Sequence, residues 1–479
     1  MSKQYDQYTA PWAQRYASQE MLELLSPQTR YSTWRQMWLW LAEAEKSVGL
    51  PITDSQLGQM RKNLENIDFD KVQKYEKELK HDVMAHIRAF GDAAPEAAPI
   101  IHLGATSADI TDNADLIIFR KALVIIETKI ARLLASMAKR AERYHDMACL
   151  GFTHLQPAQI TTLGKRITMW MQSLLEDLRE FERMVELLPF RGIKGATGTG
   201  ESFHTLLNGD YKKYQAIESY CALHAGFQTV EPACGQTYDR KWDSYIMTAL
   251  AHLAESAHKI GTDLRLLQSM HELEEPFTKN QVGSSAMSYK RNPVKAERAC
   301  SLAKFVLSLY NNTQMITATQ WLERTLDDSA NRRLSIPQAF LACDSILIIL
   351  THIFEGLMVY PKVIEHNMKR ELPFLLSERV LMLAVQKGAD RQEAHEALRR
   401  ISMEVHVSQM EDGVELDFLD LVAKEKVLHI NRRTLEEMMN PKALFGFADV
   451  QTNAFLKQHI EPFLERYEKR IKQTPIELI

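Results

Sequence analysis

Residues Asp112–Asp146 read DNADLIIFRKALVIIETKIARLLASMAKRAERYHD, and the reading of this stretch decides the fold. It contains no glycine or proline, and Leu116, Phe119, Leu123, Ile126, Ile130, Leu134 and Met137 recur at helical spacing. That pattern is one apolar stripe along a single long helix. Comparable runs follow at about 160–188, 236–272, 294–321 and 338–359, and strand-like alternation is nearly absent. Helices this long cannot be covered by one small domain, so they should form a bundle, shared between subunits. The expected fold is all-α in three parts: an N-terminal helical domain at 1–111, a central long-helix bundle at 112–360 and a C-terminal helical domain at 361–479.

Outward from the bundle, Ser32–Ser47 places Trp34, Met37, Trp38 and Leu41 on one helix face and stops at Gly49 and Pro51. Tyr360-Pro361 marks the other boundary. The most apolar run, Ala339–Tyr360, is interrupted by Asp344, His352 and Glu355, so it reads as a buried core helix and not a membrane span. The first residues, MSKQYDQYTAPW, carry no apolar signal core, and a cytoplasmic protein is expected. A length of 479 residues allows two or three domains. The net charge of −4 gives no general attraction to nucleic acid or an acidic membrane, so any polyanion site must gather its own cations. Five cysteines without CxxC spacing read as reduced thiols, not as disulfides or a metal site.

Five clusters and one loop carry residues suited to chemistry. The loop is QVGSSAMSYKRNP, Gln281–Pro293, with a Gly283-Ser284-Ser285 turn and the cations Lys290 and Arg291. Asn292-Pro293 reads as a helix start, with Asn292 as N-cap and Pro293 at the first helical position. A hydroxyl-bearing, movable loop closed onto a helix N-terminus suits a carboxylate substrate, and a polar surface loop is the alternative. Lys80-His81-Asp82 forms the first cluster, where His81 is a site histidine or a surface one. In HLGATS, His102–Ser107, Thr106 and Ser107 are helix caps or donors to a carboxylate. His154, in GFTHLQPAQITTLGKR, lies in a non-helical link, suited to proton transfer or to a structural role. RGIKGATGTGES, Arg191–Ser202, lacks the GK[ST] ending of a phosphate loop and reads as a lid or a plain loop. In LERTLDDSANRR, Ser329 and Arg333 share a helix face one turn beyond Arg324, as a phosphate clamp or a salt-bridged surface.

The loop resembles the GSSxMPxKxNP motif of the fumarase/aspartase superfamily, with Ser288 where proline is usual. KHDVMAH, HLGATS, GFTHLQPAQ, GQTYDRK, GSSAMSYKRNP and ERTLDDSANRR are similar, in order, to segments of the superfamily's adenylosuccinate branch. Lys80 departs from the arginine usual in the animal-type branch, which keeps charge but loses bidentate geometry. The resemblance implies β-elimination of fumarate from succinylated purine intermediates, with Ser284 as base and His154 as acid. It implies that Glu297 orients the acid and that Lys290 and Asn292, with Thr106 and Ser107, hold the succinyl carboxylates. Arg15, Tyr16, Arg324, Ser329 and Arg333 would contact the nucleotide and its phosphate, with Gln236 and Arg298 lining the site. His81, flanked by Lys80 and Asp82, would position substrate or support the acid. No cofactor or metal is implied. The implied partners are a small-molecule nucleotide substrate and further copies of the chain, as a homotetramer with shared sites. The rivals are another lyase of the superfamily, such as an argininosuccinate lyase without a phosphate clamp, and a catalytically silent helical assembly protein.

Overall fold

The computed structural model describes residues 8–11, 15–278 and 280–473. Five long helices form its centre: α1 (Ser107–Arg143), α2 (Leu163–Leu187), α3 (Lys241–Ser269), α4 (Val294–Ala318) and α5 (Asp328–Gly356). They pack as a ring in which each touches the next, α5 closes on α1, and α3 also touches α5. At 37 residues α1 is about 55 Å long, so it spans the whole bundle. Every apolar residue of its predicted stripe is buried, from Leu116 to Met137. The bundle and the all-α class follow the sequence reading.

The ends of these helices differ from expectation in one respect that matters later. α5 begins at Asp328, about one-third of its length before the apolar run, so ERTLDDSANRR runs straight into the helix. It is long and apolar enough to cross a membrane, but most of it is buried in the bundle. Its Asp344 is fully buried and accepts hydrogen bonds from the Ser18 backbone N–H at 2.6 Å and the Ser18 hydroxyl at 3.0 Å, beside the Lys129 ammonium. A charge in the core is tolerated here because it is paired and hydrogen-bonded.

One apolar core runs from Met21 through the bundle to Tyr467. The helix Pro27–Ser47 buries Trp34, Met37, Trp38 and Leu41 against it. The last described helix, Glu461–Gln473, returns to α1, where the Tyr467 hydroxyl donates to Glu127 and Glu182. Residues Leu376–Leu435 hold a separate small core. All five cysteines are free thiols.

The few strands are short. Between α1 and α2 the chain forms a hairpin of β1 (Ala148–Thr153) and β2 (Gln156–Thr162), antiparallel, with a register break at Gly151/Phe152. A second, two-residue ladder pairs β3 (Leu273–Glu274) with β4 (Met358–Val359). The first presents His154. The second lies at the foot of the Gln281–Pro293 loop.

Candidate active site

The loop is folded back on itself. A Cβ on Gly283 would lie 2.0 Å from the Lys290 carbonyl oxygen, so only glycine fits there. Asn292 Nδ2 donates to the Gly283 carbonyl at 2.9 Å across the same neck. At the tip, the half-buried Ser284 Oγ accepts the backbone N–H groups of Met287 at 3.1 Å and Ala286 at 3.3 Å. Two donors aimed at one hydroxyl oxygen favour negative charge on it. Lys290 is exposed on the same loop, and its side chain makes no hydrogen bond or ion pair among the described residues.

The expected helix start is corrected here. Pro293, not Asn292, occupies the cap position of α4, and it offers no side-chain acceptor. The first turn is capped instead by Glu275, from the other side of the loop. Its carboxylate accepts Lys295 N–H at 3.0 Å and Ala296 N–H at 3.0 Å. Burial pushes the Glu275 carboxyl up, and those two N–H groups and the Lys295 ammonium oppose the rise. The N-terminus of α4 therefore already holds an anion, and it is not the open substrate site that the sequence suggested. Glu297 and Arg298 follow in the same turn: Glu297 is exposed, and the Arg298 guanidinium lies 5.5 Å from the Tyr16 ring centre. Arg15 is exposed beside it in the chain.

His154 and Leu155 form the two-residue turn of the β1–β2 hairpin, with φ of 53° and 57°. Two positive φ values define the turn usually built from Asn-Gly. Holding two non-glycine residues there costs about 1–3 kcal/mol each, and such strain gathers at functional sites. Both are exposed, and the imidazole has no partner among the described residues. It lines an open cleft of about 1140 Å³ with Thr153, Arg166, Lys259 and Asp263. Neither Ser284, Lys290 nor Glu297 lines that cleft. Within one chain the expected acid and base do not meet.

Other expected residues fall into two groups. His81 is the N-cap of the helix Asp82–Ala93, and its Nδ1 faces the Met84 N–H at 3.4 Å and the Asp82 carboxylate at 3.7 Å. Arg333 reaches Asp82 at 3.5 Å, so these residues do converge, while Lys80 is exposed at a left-handed helix end. The second group surrounds the start of α1. Thr106 is its N-cap and donates its N–H to Asp109 at 2.8 Å, with Ser107 the first helical residue. The Gln236 N–H donates to the Glu323 carbonyl at 2.9 Å, beside Gly235, where a Cβ would strike that carbonyl at 2.6 Å. Arg324 pairs with Asp328 at 3.4 Å, and Ser329 is half-buried one turn on.

The sequence reading missed the buried framework behind these groups. Asp109 accepts Lys194 N–H at 2.8 Å and Gly195 N–H at 3.1 Å and pairs with Arg191, both side chains fully buried. The first half of RGIKGATGTGES is thus tied to α1. Arg240 pairs with Asp112 at 3.0 Å and Asp328 at 2.7 Å, while Arg332 joins Asp243 to Asp115. Burial pushes the Asp112 carboxyl up, but Arg240, Arg332 and Arg191 outweigh it and hold the group below its usual range. His102, with φ of 71°, accepts the Trp38 indole N–H on Nδ1 at 3.0 Å, and burial pushes it down to about 4, so it is a neutral structural histidine. The signal was the acidic run DITDNAD set against YDRKWD and DDSANRR, the two runs that supply Arg240 and Arg332.

A family description for lyases matches residues 1–307, and one for the adenylosuccinate lyase C-terminus matches residues 373–455. The chain is 46% identical to the adenylosuccinate lyase of Saccharomyces cerevisiae over 477 residues, covering 99% of each. It is 44% identical to that of Schistosoma mansoni, covering 97% of each. The chain belongs to the adenylosuccinate lyase family. As a member it is a carbon–nitrogen lyase. Two solved structures share its fold. The 3-carboxy-cis,cis-muconate lactonizing enzyme of Pseudomonas putida superposes with a TM-score of 0.81 at 22% identity, over 96% of this chain and all of the other. A fumarate lyase of Mesorhizobium does so at 0.80 and 20%, over 94% of this chain and all of the other.

Proposed function

We propose that this lyase acts in purine nucleotide biosynthesis, removing fumarate from adenylosuccinate to give AMP and from the succinylated aminoimidazole-carboxamide ribotide to give its carboxamide. Ser284 takes the proton from the carbon beside the leaving C–N bond. His154 of another copy protonates the departing nitrogen, oriented by Glu297. The observation that carries the base assignment is the pair of backbone N–H groups on Ser284 Oγ. A serine is a poor base at neutral pH, and donors already aimed at its oxygen lower the cost of the alkoxide.

The substrate carries roughly four negative charges, two carboxylates and a phosphate of about −2. Lys290, Asn292, Thr106 and Ser107 hold the succinyl group, where negative charge grows as the proton leaves. Arg15, Tyr16, Arg324, Ser329 and Arg333 hold the nucleotide, with Gln236 and Arg298 beside it and His81, Lys80 and Asp82 supporting. The expected acid and base are exposed or half-buried and stand apart in one chain, whereas the buried Arg191, Arg240 and Arg332 behind the site are paired with carboxylates. That contrast supports a homotetramer whose sites are completed by neighbouring copies, with no cofactor in the step.

The test offers adenylosuccinate and argininosuccinate separately and follows fumarate. Release from the first and none from the second is expected; the reverse overturns the substrate assignment. Ser284→Ala should lower turnover by on the order of 10²–10⁴ with binding largely kept. An equal loss of binding would make Ser284 a contact instead of the base.

A further inference from the structure

The segments entering and leaving the Gln281–Pro293 loop are fastened to each other by a set of contacts that no substrate-binding role explains. Glu274 pairs with Arg291 at 3.0 Å, and the Tyr360 hydroxyl donates to Glu274 at 2.9 Å. Gln268 spans the gap: its Nε2 donates to the Arg291 carbonyl at 3.0 Å, and its Oε1 faces the Glu275 N–H at 3.4 Å. The Lys295 ammonium donates to the Pro276 carbonyl at 2.9 Å. At the centre lies Glu275, 4% exposed, with both carboxylate oxygens on the first turn of α4.

A buried carboxylate at a helix N-terminus is stabilised by the N–H groups it accepts and by the helix dipole. It replaces the cap that Pro293 cannot supply. The same two bonds fix where the loop ends and in which direction Glu297 and Arg298 leave the helix start. They also fill the anion position at that helix end, so the substrate carboxylates must be held by side chains and not by the helix.

We propose that Glu275 is a positioning residue: a clasp that shuts the neck of the loop and so sets the placement of Ser284 and the direction of Glu297. It touches neither substrate nor reacting atoms. This rests on the reading of Ser284 as the base. Loosening the neck misplaces the base, while Thr106, Ser107, Arg324 and Arg333 bind from outside the loop, so turnover falls much further than apparent affinity. A misplacement of about 1 Å is worth on the order of a hundredfold in rate.

The test is Glu275→Gln in the full chain, which keeps the size and removes the charge and one acceptor. Two readouts are taken: steady-state kinetics on adenylosuccinate, and the rate of tryptic cleavage after Lys290 and Arg291 in the substrate-free protein. The expected result is kcat lower by about ten- to a hundredfold, KM within about threefold, and cleavage about tenfold faster. Unchanged cleavage overturns the clasp. Faster cleavage with unchanged kcat overturns its role in placing the base, and a raised KM with unchanged kcat makes Glu275 a binding residue. If Glu275→Gln does not fold, Gln268→Ala opens the same neck from the other side and is judged on the same two readouts. Cleavage needs no substrate, so a failed substrate assignment would show as silent wild-type enzyme and leave the cleavage result standing.

Discussion

Glu45 is the most exposed to chemical argument of the residues outside the site, because it is wholly buried and has nothing to bind. Its side chain lies in the core of the helix Pro27–Ser47, and neither carboxylate oxygen has a hydrogen-bond partner among the described residues. Burial pushes its carboxyl up from an ordinary value of 4.5 to about 9. The folded chain thus keeps this proton through neutrality while the unfolded chain releases it above 4.5. The unfolded state binds fewer protons across that window, so stability falls as pH rises from about 4.5 to 9, by at most about 1.4 kcal/mol per pH unit. Below 4.5 both states are protonated and the cost is absent. Glu45→Gln is neutral at every pH. It should be more stable than the natural chain by about 1–3 kcal/mol at pH 8 in a denaturant titration, with the difference closing near pH 4.5. Equal midpoints at both pH values would mean that Glu45 is stabilised as a carboxylate in the fold. The contrast with Asp109, Asp112 and Asp344 is instructive: those carboxylates are as deeply buried, and each has a cation or several N–H groups.

At the level of elements, the β1–β2 hairpin invites the sharpest test, because its turn residues are poor for a turn and suited to a proton donor. Asparagine accepts the left-handed conformation more readily than histidine and lacks a titrating ring. His154→Asn should therefore leave the melting temperature unchanged or slightly raised, while turnover drops by on the order of 10²–10⁴. A fall in both would make His154 a structural part of the hairpin. This hairpin also marks a limit of sequence reading. Helices α1 to α4 were legible because apolar residues recur at 3.6-residue spacing over many turns, and the helix bounds lie close to the expected runs. The hairpin was not, because Gly151 and Pro157 break its alternation and His154-Leu155 is no turn signature. The helical face of Ser329 and Arg333 was legible, but its unbroken continuation into the apolar run was not: Asp328 to Arg333 carries no apolar stripe, and its helix is held by buried ion pairs instead. Asn292 was read as a cap from local sequence, whereas the group that caps α4 is Glu275, across the loop. Local rules cannot see a partner that arrives from another segment. The candidate site residues were named from motifs alone; the pairing of Tyr16 with Arg298, and of Asp82 with Arg333, needed the fold.

For the whole molecule, the question is how the proposed acid and base, which stand apart in one chain, would act on one substrate. The His154 turn and the Ser284 loop are each exposed, and the cleft beside His154 includes no residue of the loop. Large apolar side chains also remain uncovered on the bundle and the turn before α5, with Trp321 at 69%, Leu326 at 70% and Leu334 at 62% exposed. Exposed apolar surface near long bundle helices is what a subunit interface would cover. If sites are completed across such an interface, a mixed assembly can unite an intact His154 with an intact Ser284 even when every chain lacks one of them. Mixing inactive His154→Asn and Ser284→Ala proteins under conditions that allow subunit exchange should then restore activity. In random tetramers with three-chain sites, a quarter of the sites would draw His154 and Ser284 from two intact donors, so recovery approaches about a quarter of the natural rate at equal mixing. A site built within one chain would give no recovery, because every chain carries one lesion. Recovery that stays at zero after exchange is verified by native mass spectrometry would remove the shared-site proposal and require the loop and the hairpin to meet within a single copy.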